Sequence, residues 1–265
     1  MRWRLEIIAK ATAMGVRNAS ANPLPVLGGF LLYLMIMVLY AGIINMVPEE
    51  DIAPLYLSHA QMIWYIGATE MIVFSGVGWA WKEIQNAFLS GDAILSLVRP
   101  ASAALIRCSF WMGESLVRMA IFFPLYLLLM WYLSDAFVFD IWHALGLLLS
   151  MPLAVVMMNC ASYAIGGLCL WVTQADPVFW VWQKLIFLLG AMLWPLLFYP
   201  RVIQEILPWL PFYGILTHSG NWALDMSLRD YVYGFLNQFL WTALFLWFLK
   251  FFDLKVIARI QKGDR

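Results

Sequence analysis

Residues 24–46, LPVLGGFLLYLMIMVLYAGIINM, hold no Asp, Glu, Lys, Arg or His and are apolar almost from end to end. Crossing hydrocarbon takes roughly 20 such residues in a helix, because within lipid only a helix or a closed barrel satisfies every backbone N–H and C=O. The stretch therefore reads as a transmembrane helix. Five more of the same kind follow at about 61–81, 112–133, 142–172, 178–197 and 231–252, so the chain is expected to be an all-α integral membrane protein of six spans. The fourth would extend roughly 46 Å if straight, at about 1.5 Å per residue. It is expected to remain one element that tilts, bends at Pro152 or starts with a leg lying in the interface.

Composition agrees with this reading. Of the 265 residues, 64% are hydrophobic and 12% charged, with a mean hydropathy of +0.80, against about 45–50% and about 25% in soluble domains. Such a surplus of apolar side chains cannot be hidden inside one soluble core. A formal net charge of zero gives no reason to expect nucleic acid or an acidic substrate. Cys108, Cys160 and Cys169 sit among apolar residues without metal-ligand spacing and read as free packing thiols. The first apolar run begins near Leu24, lacks a small-residue cleavage pattern and is long enough to span, so no cleavable signal peptide is expected.

Charge is segregated along the chain. Arg2, Arg4, Lys10 and Arg17 precede the first span, Lys82, Arg99 and Arg107 separate the second from the third, and Lys250, Lys255, Arg259, Lys262 and Arg265 lie at the end of the sixth or beyond it. The alternate loops, 47–60 and 134–141, carry no Lys or Arg but hold Glu49, Glu50, Asp51, Asp135 and Asp140. By the positive-inside rule both termini are expected in the cytoplasm. Trp79, Trp81, Trp171, Trp180 and Trp182 would then form the inner aromatic belt, with Trp131, Trp142 and Trp194 in the outer one.

Three features lie outside the spans. In residues 2–17, Trp3, Ile7, Ala11 and Met14 share one helical face and Arg2, Glu6, Lys10 and Arg17 another, the pattern of a helix lying on the inner leaflet. Asn22-Pro23-Leu24-Pro25 would break it before the first span, so residues 1–23 read as an interfacial elbow with its linker and 24–265 as the transmembrane domain. The alternative is an extension packed on its own protein. Between the second and third spans, residues 82–100 are too short and too apolar for a domain; they suit a short helix offering side chains to a cytosolic partner, or an ordinary connector. After the fifth span, Pro195, Pro200, Pro208 and Pro211 forbid a continuous helix, while Trp209, Phe212 and Ile215 are too apolar for a free loop. Short helices re-entering the outer leaflet are expected there, where protein or a water-filled cavity must surround them.

Two stretches carry a resemblance. Leu89-Ser90-Gly91-Asp92 leads to Leu97-Val98-Arg99-Pro100, and Leu196-Leu197-Phe198-Tyr199-Pro200 leads to Leu207-Pro208-Trp209-Leu210-Pro211-Phe212. Both are similar to segments of the ABC-2 type permeases, the membrane subunits of bacterial ATP-binding-cassette exporters, and in particular to those of about this length whose ATPase is a separate chain. The match in span count covers the whole chain, but only these two stretches are specific. Gly190-Ala191 stands where the family often has Ser-Gly, and His218 where a proline is common. The resemblance implies a coupling helix docking on an ATPase, with Glu83, Gln85, Asp92, Leu95 and Arg99 as its contacts. It further implies an extracellular gate at Pro195, Pro200, Trp209 and Phe212, location in a bacterial inner membrane, and a unit of two permeases with two ATPases. No Gly-x-x-x-x-Gly-Lys-(Ser/Thr) occurs in the sequence, so ATP and Mg²⁺ are expected in the partner ATPase and no cofactor in this chain, which is not expected to be an enzyme by itself.

Ionisable residues within predicted hydrocarbon raise a functional question, because charge there is costly. Glu114 and Arg118 stand four apart in the favourable acid-first order and are expected to satisfy each other. Lys184 is expected to snorkel to the inner interface or to meet a carboxylate. Glu70 is the sharper case, flanked along its span by Gly67, Gly76 and Gly78, which permit close helix approach. It either lines a pathway, binds a proton or pairs with a residue such as Lys184. His59, His143 and His218 lie apart with no zinc spacing and read as structural or solvated. Two rivals stay open: an ion-coupled secondary transporter, which would call for internal repeats and broken helices, and a membrane-embedded lipid-modifying enzyme, which would need clustered His, Asp or Glu.

Overall fold

The computed structural model describes residues 2–52, 57–92, 102–172, 174–224 and 226–262, and every regular element among them is helical. Helix α1 (Arg2–Ala21) stops at Asn22-Pro23, and α2 (Leu24–Asn45) begins with Pro25 in its first turn, where a missing N–H leaves no bond unmade. A single turn, α3 (Glu49–Ile52), precedes α4 (His59–Ser75), which opens on a reciprocal capping box between Ser58 and Gln61. Then come α5 (Ala80–Leu89), α6 (Ala103–Ser134) and α7 (Ile141–Gly167), the last continued by a 3-10 turn to Leu170. Helix α8 (Asp176–Leu189) is followed by short pieces: a 3-10 turn at Leu196–Phe198, α9 (Arg201–Ile206), a second 3-10 turn at Leu207–Trp209, a π-helical turn at Tyr213–Thr217 and α10 (His218–Asn221). The long α11 (Leu228–Lys262) closes the fold.

Among the described residues three helices, Leu24–Asn45, Ala103–Ser134 and Ile141–Leu170, are long and apolar enough to cross a membrane, which points to a membrane protein. Their outer faces agree: Leu24, Leu27, Leu31, Met35, Val38 and Ile43 of α2 are all exposed, a contiguous apolar surface that water solvates poorly and lipid solvates well. The expected fourth stretch is a single element, as its unbroken apolar run requires, and keeps Pro152 inside the helix.

Two expected spans are shorter than the sequence implied. The stretch 61–81 divides: α4 stops at Ser75, the backbone turns extended at Gly76, and α5 starts at Ala80, carrying Trp81 with it. The stretch 178–197 also divides, because α8 ends at Gly190 and Ala191 takes a left-handed φ of 48°. Apolar composition cannot register such turns, since both sides of each are equally apolar. Helix α4, with 17 residues, rises about 25 Å, and α8, with 14, about 21 Å, against a hydrocarbon thickness of about 30 Å.

Helix α1 packs along α6 at nearly backbone distance. A Cβ on Gly15 would lie 1.9 Å from the carbonyl oxygen of Phe110, and one on Gly113 2.1 Å from that of Thr12. Ala11, Gly15 and Ala19 form the buried stripe, while Trp3, Leu5 and Met14 remain exposed. Of the expected apolar face, Trp3 and Met14 stay exposed and Ala11 is buried at the edge of the docking stripe, so small size, not apolarity, selects the residues that meet α6. Asn18 Nδ2 donates to Glu114 Oε1 at 2.6 Å across the same contact.

Helix α4 sits at the centre. Every residue from Met62 to Ile72 is buried, as expected of a helix enclosed by neighbours on all sides. Tyr33 of α2 donates to the Gly67 carbonyl at 3.1 Å and Tyr126 of α6 to that of Trp64 at 3.0 Å. Gly67 allows this approach, because a Cβ would meet the Met130 sulfur at 2.3 Å and force that side chain to shift. The far corner of the bundle is tied by His143, whose Nδ1 lies 2.7 Å from Asp140 Oδ1 and whose Nε2 lies 3.1 Å from the Tyr231 hydroxyl. The Asp140 carboxyl, which also caps α7, is held below the usual aspartate range chiefly by the backbone N–H of His143.

The α1–α6 contact predicts that Gly113→Leu forces the two backbones apart at an overpacking cost of roughly 1–3 kcal/mol. Thermal unfolding of the purified protein should show a lowered midpoint, and limited proteolysis should cut α1 before any other segment.

Candidate functional site

A groove of about 880 Å³ runs along the side of α4, walled by α2 on one flank and α8 on the other. Gly28, Leu32, Ile36 and Tyr40 line it from α2, Phe179, Trp180, Gln183 and Phe187 from α8, and Glu70, Val73 and Phe74 from α4 itself. Met192 and Leu193, just past the end of α8, and Arg118 of α6 complete it.

Glu70 is 4% exposed, yet among the described residues it accepts no hydrogen bond and enters no ion pair. With α4 buried from Met62 to Ile72, the Glu70 side chain lies at the edge of the groove that it lines. Arg118 donates from a terminal guanidinium nitrogen to the Gly76 carbonyl at 3.1 Å, while its Nε has no partner. Glu114 takes its hydrogen bond from Asn18, so the expected direct pairing of Glu114 with Arg118 gives way to separate partners. The reason is the approach of α1, which brings a competing amide to Glu114. Lys184 lies on the exposed side of α8 with its Nζ 5.7 Å from the centre of the Phe187 ring, and does not reach Glu70.

Helix α8 is bonded at both ends, and in the middle it packs by Trp182 and the buried Ile186 while its other face stays exposed. At its start, Gln85 of α5 accepts from the Ala175 N–H at 2.6 Å and donates to Asp176 Oδ2 at 3.4 Å, while Trp81 stacks on Phe179 with ring centres 4.8 Å apart. At its finish, three hydroxyls secure the strained turn: Thr217 donates to the Gly190 carbonyl, Tyr65 to that of Ala191 and Thr69 to that of Met192, at 2.7–2.9 Å. Between them Trp180, Val181 and Leu188 are exposed.

The residues expected to contact an ATPase divide into two kinds. Gln85 is buried and committed to α8. Glu83 accepts from Trp111 Nε1 at 3.3 Å and lies 3.9 Å from Arg107, keeping about half its side chain exposed. Asp92 is exposed and accepts from the Ser90 hydroxyl at 2.8 Å, and the exposed edge of α5 is Lys82, Asn86 and Leu89. Leu95 and Arg99 lie outside the described residues.

The expected gate residues are not gathered at one point. Phe212 is buried against Trp182 with ring centres 5.3 Å apart, whereas Trp209 is 70% exposed and edges Tyr233. Pro195 is buried and Pro200 exposed, bracketing the 3-10 turn at Leu196–Phe198.

His218, expected to be structural or solvated, is fully buried beside Trp222 and Phe235, its ring edge filling the space where Gly234 has no Cβ. The glycine six residues into α11 was the available signal. Gln85 was taken for an outward contact, and no local pattern could have shown its clamp on Ala175. Among the described residues no three of His, Cys, Asp and Glu converge where a metal could be held.

A scan of the chain against protein-family models matches none, and a search of curated proteins finds no match.

Because Gln85 satisfies a buried backbone donor, Gln85→Ala should cost about 1–3 kcal/mol, read as a lowered unfolding midpoint in detergent. The added accessibility of Trp180 and Trp182 to an aqueous fluorescence quencher would locate the loosening at α8.

Proposed function

We propose that the chain is the permease subunit of an ATP-binding-cassette exporter of the ABC-2 type, working with a separately encoded ATPase in a bacterial inner membrane. The observation that supports this most is mechanical. Helix α5, which the resemblance places against an ATPase, is bonded through Gln85 to the start of α8, and α8 is a wall of the groove beside Glu70. A push on α5 is thereby delivered to the pathway.

In this proposal the chain crosses the membrane six times, with α4 and α8 completing their crossings through the turns that follow them, and both termini lie in the cytoplasm. Helix α1 is the elbow, its exposed Trp3, Leu5 and Met14 entering the inner leaflet while Ala11, Gly15 and Ala19 hold α6. The pieces between Pro195 and Asn221 re-enter from the outer side, sheltered by α4, α7 and α11. Two permeases assemble with two ATPases, which supply ATP and Mg²⁺ binding, and closure of the ATPases rocks α5 and α8 to open the groove in alternation.

A second reading has one observation in its favour. A buried carboxylate with no partner among the described residues, in a groove, is also what an ion-coupled transporter places on its pathway.

Affinity purification of the tagged chain in mild detergent, with subunits identified by mass spectrometry, tests the proposal. An ATP-binding-cassette subunit should co-purify, and charge introduced on the exposed edge of α5 by Asn86→Glu with Leu89→Glu should lower ATP turnover of the complex at least tenfold. Repeated recovery of the chain alone, together with transport driven by an ion gradient, would replace the exporter by the secondary transporter.

A further inference from the structure

As a translocation pathway the groove needs a ligand, and its chemistry narrows the class. Glu70 is a carboxylate 96% removed from solvent with no hydrogen bond or ion pair among the described residues. Such a group is expensive to keep ionised until something supplies positive charge. The protein's own cations do not. Lys184 is exposed on α8 with its Nζ over the Phe187 ring and forms no ion pair with Glu70 among the described residues, and Arg118 is engaged by the Gly76 carbonyl.

Around Glu70 the walls are apolar: Leu32 and Ile36 from α2, Phe74 from α4, Phe187 and Met192 from the α8 side. Tyr40 and Trp180 add ring faces of the kind that attract cations. An anionic head would meet Glu70 as a like charge, and a neutral one would leave the carboxylate as it is. At about 880 Å³ the groove is within the usual range for small-ligand sites.

We propose that the groove binds an amphiphile with a single cationic head, the head on Glu70 and the apolar body between α2 and α8. This rests on the groove being a ligand pathway. The occupant is a free lipophilic cation and not a phospholipid. A phospholipid head brings a phosphate as well, and Arg118, the one cation among the described lining residues, already donates to the Gly76 carbonyl.

The test is equilibrium binding of rhodamine 6G, a fluorescent lipophilic cation, to the purified full-length chain in phosphatidylcholine nanodiscs, with empty nanodiscs subtracted. Wild type should bind saturably, and dodecyltrimethylammonium should compete while uncharged dodecyl maltoside does not. Glu70→Gln, nearly identical in shape, should weaken binding at least tenfold. Glu205→Gln, which removes an exposed carboxylate on α9, should leave it unchanged. A second variant guards against misfolding. A Cβ on Gly28 meets nothing within 4 Å, so Gly28→Leu intrudes on the groove without displacing packed atoms and should also abolish binding.

Undiminished binding by monodisperse Glu70→Gln, or equal competition by the uncharged amphiphile, overturns the proposal. Loss of probe binding on replacing phosphatidylcholine with phosphatidylethanolamine overturns it too, by assigning the groove to a lipid head. Co-purification of an ATPase with binding indifferent to Glu70 would sink this ligand assignment alone. Glu70-dependent binding by a chain that recruits no ATPase would instead sink the exporter proposal and keep the site.

Discussion

The burial of α4 from Met62 to Ile72 governs the rest of the structure. A helix enclosed from Met62 to Ile72 has no face on which to shed a polar group, so each one it carries must be met by protein or by a cavity. Its carbonyls are met by Tyr33 and Tyr126, and its Tyr65 and Thr69 hydroxyls reach across to the turn after α8. Glu70 alone among its ionisable groups is left over, and the groove exists beside it. Site and scaffold therefore share one origin.

The same enclosure explains how α8 is mounted. The hydroxyls of α4 fasten the end of α8, Thr217 adds a third bond from the π-helical turn, and Ala191 is thereby held in a left-handed conformation that costs roughly 1–2 kcal/mol for a residue with a Cβ. At the other end Gln85 and the stacked Trp81–Phe179 pair bind α8 to α5. Between these ends Trp182 packs on Phe212 and Ile186 is buried, so α8 is fixed to the core along one face and walls the groove with the other.

Close approach recurs wherever two helices must share a narrow space. Gly15 and Gly113 let α1 lie on α6, and Gly67 lets α6 reach α4. With most of each helix surface uniformly apolar, hydrophobicity does not choose partners, and shape at small residues does. Asn18 then takes Glu114 away from Arg118, so a helix outside the expected spans rearranges the polar contacts within one of them.

The sequence by itself determined the helical class, helices long and apolar enough to cross a membrane at 24–46 and in the runs containing α6 and α7, the proline break at residues 22–25 and the interruption of helix after Pro195. All of these follow from local rules: apolar length, and what proline does to the backbone ladder. Glu70 could be marked as unusual in the same way, because a carboxylate in an apolar run is costly wherever the chain goes. Only the tertiary structure decided that α4 ends at Ser75 and α8 at Leu189, that Gln85 faces inward, that His218 is buried, and that Lys184 does not answer Glu70. Those outcomes turn on which neighbour offers a carbonyl, a hydroxyl or an empty space, and uniform apolarity carries no record of that choice.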